Sequence, residues 1–458
     1  MIKTSIPSYF AHRRSRLFEG FSKQKVDGAA VVLFSNQELT RNHDVHFLFR
    51  QDSSFYYLTG LDEPGSVCVL LSKEASSLSA AKNHETILFV APKDEEKELW
   101  EGERYGVEGA MRVFGADRSY PLAELGQRLP ELLSTANRLF YRLNRPHSEH
   151  EDRLMIEALE KCKKAQGRSG KALMTVEDPQ IVIGEMRLFK APEEIELMRR
   201  ASKISAAAHN SLLREVKPGM NESQVEALID FHFRKDGCER NAYPSIVAGG
   251  KNAACLHYRR NNEILRDGDI LLVDAGGECD YYAADITRTI PVGAKFSGDQ
   301  TKAYDLVLKT QKMAIEMVKP GVSMVQIHRA VSESLAEGCL QLGLFNGLQS
   351  SPADVVASGA IKRYYPHQTS HWLGMDVHDA GLYQLNGEPR LLEPGMVLTI
   401  EPGFYVQANN EQVAPGFRNI GIRIEDDILV VAGGYENFTL DAIKERAQIE
   451  SERAKALK

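Results

Sequence analysis

A chain of 458 residues is too long for a single compact core, so two domains are the expectation. Hydrophobic residues at 43% and charged residues at 26% describe an ordinary globular composition. The formal net charge of -7 argues against a nucleic-acid binder, and no segment approaches the roughly 18 apolar residues of a membrane span.

Met1 to Phe18 contains no acid and holds Arg13, Arg14 and Arg16, a pattern shared with transit peptides. Phe10, Leu17 and Phe18, however, are spaced as the apolar stripe of a helix, which favours a first domain helix over a leader. Ala29 to Phe34, Val67 to Leu71 and Thr86 to Val90 read as short buried strands. Arg50 to Gly60 reads, on spacing alone, as a strand rich in Tyr and Phe that enters a turn. Pro121 to Ala136 and Asp152 to Leu173 read as amphipathic helices. The first part is therefore a mixed α/β domain. A boundary falls between Thr175 and Pro192, placing the domains at residues 1–180 and 181–458. Pro192 followed by Glu193 and Glu194 is a helix start, since proline lacks the amide that would go unpaired and acids suit the positive helix end; the helix should run through Arg214.

Beyond that point the chain echoes itself. Val216-Lys217-Pro218-Gly219 recurs as Val318-Lys319-Pro320-Gly321, each between long helical segments, the second members ending at Gly237-Cys238 and Gly338-Cys339. Leu265-x-x-Gly268-x-x-Leu271-x-x-Asp274-x-Gly276 recurs as Leu392-x-x-Gly395-x-x-Leu398-x-x-Glu401-x-Gly403. Two such halves predict one α/β domain with a pseudo-two-fold axis, each half ending an apolar strand in a carboxylate.

The chemistry concentrates on those strand ends. In Asp269 to Asp274, Ile270, Leu272 and Asp274 share a face, so an acid projects among apolar neighbours, a costly position unless it is paired or holds a metal. Tyr281 to Pro291 is expected as the next strand, joined through a Gly276-Gly277 turn, which brings Asp285 beside Asp274. Two like charges so close call for a cation between them. Glu401 closes Val397 to Ile400, and alternation along Gly421 to Val430 puts Arg423, Glu425 and Asp427 on one face. Four carboxylates on separate strands could balance two divalent ions, with His371 as a fifth, neutral ligand. Mostly oxygen donors with one nitrogen suit Mn²⁺ first, with Co²⁺, Zn²⁺ or Fe²⁺ as alternatives. Taken singly, Glu425 reads as a solvated strand residue, Asp274 as a turn acceptor and His371 as a partly buried histidine; only the joint pattern demands a site. Six cysteines without a C-x-x-C pair point to buried thiols in a reducing, cytoplasmic setting, Cys255 among them as a core residue.

The pieces Val273-Asp274-Ala275-Gly276, Asp285-Ile286-Thr287-Arg288-Thr289, His371-Trp372-Leu373-Gly374-Met375-Asp376-Val377-His378-Asp379, Thr399-Ile400-Glu401-Pro402-Gly403 and Gly421-Ile422-Arg423-Ile424-Glu425-Asp426-Asp427 resemble those of the aminopeptidase P and prolidase family, in that family's order. Arg50 to Gly60, followed by Glu63-Pro64, is similar to its N-terminal domain. The resemblance implies a pita-bread catalytic domain over residues 181–458, binding two divalent metal ions. It implies an aminopeptidase that hydrolyses the N-terminal Xaa-Pro bond of peptides through a metal-bridging hydroxide. Asp285 and Glu425 would bridge the metals, Asp274 would complete one shell, and His371 with Glu401 the other. Glu401 would shuttle the proton; His257 and His378 would hold substrate and support the tetrahedral intermediate. Arg423 would orient a carboxylate, and His367 and Tyr405 would join the substrate pocket. Gln368 stands where the family usually has glycine. Trp100 lies in a segment similar to one from which some relatives reach a neighbouring subunit's cleft, packing against its own domain being the equal alternative; a homo-oligomer, dimer or tetramer, is implied. The rivals are a prolidase restricted to Xaa-Pro dipeptides and a metal-free binding protein on the same scaffold. No G-x-S-x-G, H-E-x-x-H, Walker A or G-x-G-x-x-G pattern competes.

Overall fold

The computed structural model describes residues 6–76, 83–167, 175–345 and 351–458, without the side chain of residue 166. The chain divides into two compact units, Met1–Met186 and Arg187–Lys458.

In the first unit the opening helix, Tyr9–Lys23, buries the expected Phe10, Leu17 and Phe18. It also buries Arg14, whose guanidinium donates to the carbonyls of Leu58 (2.8 Å) and Phe114 (3.2 Å). Arg14 is thus part of this unit's packing. A six-stranded mixed sheet follows in the order Arg118–Pro121, His84–Val90, Val67–Ser72, Ala29–Phe34, Arg138–Phe140, Thr175–Glu177. Ala29–Phe34 is buried at every position, which is why it reads as an unbroken apolar run.

The aromatic stretch corrects the strand expectation: Ser53–Thr59 is a helix. Asp52 caps it by accepting from the Phe55 amide at 2.8 Å, and Gly60 ends it in the left-handed region at φ 69°. All seven helical residues are buried, so no polar face marks the helical period in the sequence. The expected helix over 121–136 is a 3₁₀ turn, Leu122–Glu124, leading into Leu125–Leu133. The next is Glu149–Gln166; its expected end at Leu173 lies outside the described residues. Trp100, on the helix Glu95–Glu101, is 82% exposed and does not pack against its own unit.

The second unit begins with the helix Pro192–Glu215, where proline occupies the first turn and the Glu194 carboxylate accepts from the Ala191 amide at 3.0 Å. The repeat is structural. Gly219 (φ 90°) and Gly321 (φ 87°) donate their amides to Leu265 and Leu392, at 2.8 and 3.0 Å. The amides of these leucines in turn reach the carbonyls of Met220 (2.8 Å) and Val322 (2.7 Å). Both sequence echoes therefore meet at the same joint in each half. One detail differs: Met324–Gln341 runs through Gly338 instead of stopping there, and a side chain at 338 would collide with Leu306, its Cβ only 2.2 Å from Cδ1.

Two strand expectations are also corrected. Ile270–Asp274 pairs antiparallel with Thr287–Pro291, with Asp274 opposite Thr287, but Asp285 precedes that strand. Between them the chain makes a small excursion, Gly277–Cys279 against Tyr282–Ala283, turning at Asp280 and Tyr281 with positive φ instead of at Gly276-Gly277. Gly276 serves a crossing: a Cβ there would lie 1.8 Å from the Ala284 carbonyl oxygen. Likewise Gly421 to Val430 is interrupted. Ile420–Arg423 pairs with Gly403–Val406, and Asp426–Val431 pairs with Val397–Ile400, leaving Glu425 in the break.

Candidate metal centre

Asp274 terminates a central strand, Asp285 and Glu425 sit where strands break off, and Glu401 follows the end of Val397–Ile400. His371 lies on a segment laced to that last strand: the Thr399 amide donates to the His371 carbonyl (3.0 Å) and the Glu401 amide to the Thr369 carbonyl (2.9 Å). All five side chains line one cavity of about 520 Å³, together with His257, His367, His378 and Arg423. Ligand atoms of Asp285, His371 and Glu425 lie within 4.8 Å of one another. His371 Nε2 is 3.4 Å from Asp285 and 3.5 Å from Glu401, while its Nδ1 meets the Trp372 carbonyl at 3.1 Å, which turns Nε2 toward the acids.

Tyr243 and Thr287, which sequence reasoning did not single out, complete the cluster. The Tyr243 hydroxyl lies 2.6 Å from Asp274 and 2.5 Å from Asp285, bridging the two acids. Thr287 donates to Glu425 at 2.6 Å and accepts from Arg423 Nε at 3.0 Å. Alternation through Asp285, Thr287 and Thr289 was the available signal for Thr287; nothing local marks Tyr243. Arg423 pairs with Asp274 and donates to the Tyr405 hydroxyl at 3.0 Å. Tyr405 is not among the lining residues. It stands behind His367, 2.9 Å from Nε2, whose Nδ1 meets the Gln368 carbonyl at 2.8 Å. Arginine, tyrosine and histidine thus form one donor-to-acceptor chain, which requires His367 to carry its proton on Nδ1.

His378 stands edge-on to His371, ring centres 4.4 Å apart. Its neighbour Asp379 is buried and clamped by Arg187 (2.5 Å) and Lys190 (3.0 Å). The segment carrying His257 is held by buried Glu222, which accepts from the amides of Gly249 (2.7 Å) and Glu263 (2.9 Å) and from Tyr258 (2.8 Å). Cys255 on that segment is exposed, contrary to the core expectation. Asp427 does not face the cavity with Arg423 and Glu425, because the break at Glu425 interrupts the alternation; it accepts instead from the Asp285 amide at 3.1 Å.

The electrostatics describe a centre short of positive charge. Burial and then the neighbouring acids raise Glu425 well above the usual carboxylate range and raise Asp285 as well. Burial takes Glu401 up to about 7, against the opposing pull of His371 and Arg423. Burial would lower His371, yet Asp285 and Glu401 hold it up at about 9. Burial, followed by Arg423, pushes His367 down to about 3, so it is neutral. Crowded carboxylates beside one imidazole are a donor set that fits a divalent cation, and a cation would remove the repulsion that raises these groups.

The model of metallopeptidase family M24 matches residues 196–432, and that of the aminopeptidase P N-terminal domain matches residues 10–141. Xaa-Pro aminopeptidase of Escherichia coli K12 is 38% identical over 442 residues, covering 96% of each chain. Human Xaa-Pro aminopeptidase 3 is 34% identical over 448 residues, covering 96% of this chain and 85% of its own. Among solved structures, Pseudomonas aeruginosa aminopeptidase PepP superposes with a TM-score of 0.91 at 37% identity, over 99% of this chain and 100% of that one. Zinc-substituted E. coli aminopeptidase P in complex with product superposes at 0.90 and 37%, with the same coverage.

Proposed function

Because the chain belongs to metallopeptidase family M24 and carries an aminopeptidase P N-terminal domain, we propose that it removes the N-terminal residue from peptides whose second residue is proline, using two divalent ions, preferentially Mn²⁺. Residues 181–458 form the catalytic domain and residues 1–180 its N-terminal partner domain. The observation that carries the reading is the convergence of Asp274, Asp285, His371, Glu401 and Glu425 on one cavity.

In this reading Asp285 and Glu425 would serve both ions, Asp274 would serve one of them, and His371 with Glu401 the other. The ions supply Lewis acidity and a water acidified to ionise near neutral pH. Glu401, which lines the cavity beside His371, would receive a proton from the attacking water and pass it to the leaving proline nitrogen. His257 and His378 face the cavity with N–H groups that can meet the oxygen where charge develops. Arg423 pairs with Asp274 and, through Thr287, fixes Glu425. His367, with both ring nitrogens engaged, shapes the proline pocket jointly with Tyr405. A bond before proline has no amide hydrogen and a fixed φ, so a shaped pocket is what selects it.

Six free cysteines, five of them buried, support a reducing cytoplasmic setting, and none of the described helices is long and apolar enough to cross a membrane. Leu99 and Trp100, 81% and 82% exposed on one short helix, support association into a homo-oligomer.

The test is hydrolysis of Xaa-Pro, Xaa-Pro-Xaa and Xaa-Ala-Xaa peptides by protein stripped with chelator and reloaded with Mn²⁺, Co²⁺ or Zn²⁺. Release of the first residue from Xaa-Pro-Xaa, absent in chelator and restored best by Mn²⁺, is expected. Cleavage of dipeptides alone would make the chain a prolidase, and undiminished turnover in chelator would reject the metal centre.

A further inference from the structure

The face that the helix Pro192–Glu215 turns inward carries polar side chains among apolar ones such as Met198, Ala201, Ala206 and Leu212. Ser202, Ser205 and His209 are all buried, at 0%, 0% and 5% exposure, and their spacing of three and four residues puts them on one narrow strip. His209 and Ser205 bond the hairpin that bears Asp274 and Asp285 directly, and Ser202 reaches it through Asp427. His209 Nε2 lies 2.9 Å from the carbonyl of Ala275, the residue after Asp274. The Ser205 hydroxyl accepts from the Gly277 amide at 2.9 Å. The Ser202 hydroxyl donates at 3.1 Å to the buried Asp427, and the same Asp427 oxygen accepts from the Asp285 amide at 3.1 Å. Between these residues Ala206 packs on Ile286, next to Asp285.

These bonds answer a specific problem. The Asp274 strand ends, the chain crosses itself at Gly276, and Asp285 lies outside any strand, so the strand ladder leaves backbone groups there for other partners. Those backbone groups also carry side chains that repel one another until a cation arrives. A hairpin free to move would relieve the repulsion by spreading, and each cation would then have to pull it closed. Burial takes His209 down to about 4, so it is neutral at physiological pH and contributes direction without charge.

We infer that Ser202 (through Asp427), Ser205 and His209 are positioning residues that hold the Asp274–Asp285 hairpin at cation-binding separation before any cation is present. The inference rests on the metal-centre reading above. It assigns the long helix a purpose in metal affinity beyond filling the core.

The experiment titrates chelator-stripped protein with Mn²⁺ against a chromophoric competitor at neutral pH, alongside the Co²⁺ absorption spectrum and the melting temperature of the cation-free form. Outer-sphere partners of this kind typically contribute about ten- to a hundredfold in affinity. His209→Leu and Ser202→Ala are each expected to weaken Mn²⁺ binding about tenfold and to alter the Co²⁺ spectrum. His209→Gln, whose amide N–H can reach the same carbonyl, is expected to restore affinity to near wild type. Affinity within about threefold of wild type in both deletions, or equal weakening in His209→Gln and His209→Leu, would overturn the inference while leaving the metal centre standing. Should His209→Leu not fold, Ser202→Ala, which deletes a single hydroxyl, decides alone. Wild-type protein that takes up no cation would overturn the centre itself and this inference with it.

Discussion

Replacing Glu401 with glutamine separates what the carboxylate does for catalysis from what it does to stability. Burial takes this group from its ordinary value of 4.5 to about 7 in the cation-free protein. The shift corresponds to about 3 kcal/mol, at about 1.4 kcal/mol per pKa unit. The sign follows from proton counting. Between those two pH values the folded carboxyl keeps a proton that the unfolded chain releases, so stability falls as pH rises through the window and this group's penalty reaches its full size above about 7. Glutamine has the same shape and no charge. It forfeits the 3.5 Å contact with His371, but Asp285 remains 3.4 Å from the same nitrogen. Urea unfolding in chelator should therefore show Glu401→Gln more stable than wild type by about 1–3 kcal/mol at pH 7.5, with the gain vanishing near pH 4.5. Loaded with Mn²⁺, the same variant should lose about 10²–10⁴-fold in kcat. A variant less stable than wild type in chelator at pH 7.5, or a gain that does not depend on pH, would refute the reasoning.

Asp285→Asn should remove cation binding and turnover together while leaving the circular dichroism spectrum unchanged, because its amide bond to Asp427 is made by the backbone and survives the change; retained turnover on Xaa-Pro-Xaa would count against the site. Arg187→Leu takes from buried Asp379 one of its two ion-pair partners among the described residues, leaving Lys190, and should cost about 3–5 kcal/mol, measured by urea midpoint. Since Asp379 adjoins His378, KM should rise more than kcat falls; an equal loss in the cation-free and loaded states without a kinetic effect would reduce the cluster to a packing role.

Local chemistry carried much of this protein in its sequence. Pro192-Glu193-Glu194 specifies a helix start wherever it occurs, because the missing amide and the helix dipole are properties of a few consecutive residues. The two Val-Lys-Pro-Gly turns and their partner leucines are legible as a repeat for the same reason, and strand-end acids stand out because an isolated buried charge is costly. Other features were decided only in three dimensions. Ser53–Thr59 is helical because it is covered on every side, which erases the period that would announce it. Glu425 reaches the cavity and Asp427 does not because a strand breaks between pairings with two different partners, an event set by the register of distant segments. Tyr243 bridges Asp274 and Asp285 from a segment with no mark of its own, and Cys255, expected in the core, comes to the surface. Ser202, Ser205 and His209 gain a role only when the chain they hydrogen-bond, about 70 residues away or more, is laid against them. A sequence states what each residue can offer its immediate neighbours; which distant group accepts the offer is settled by packing, since only the folded chain brings the two within hydrogen-bond range.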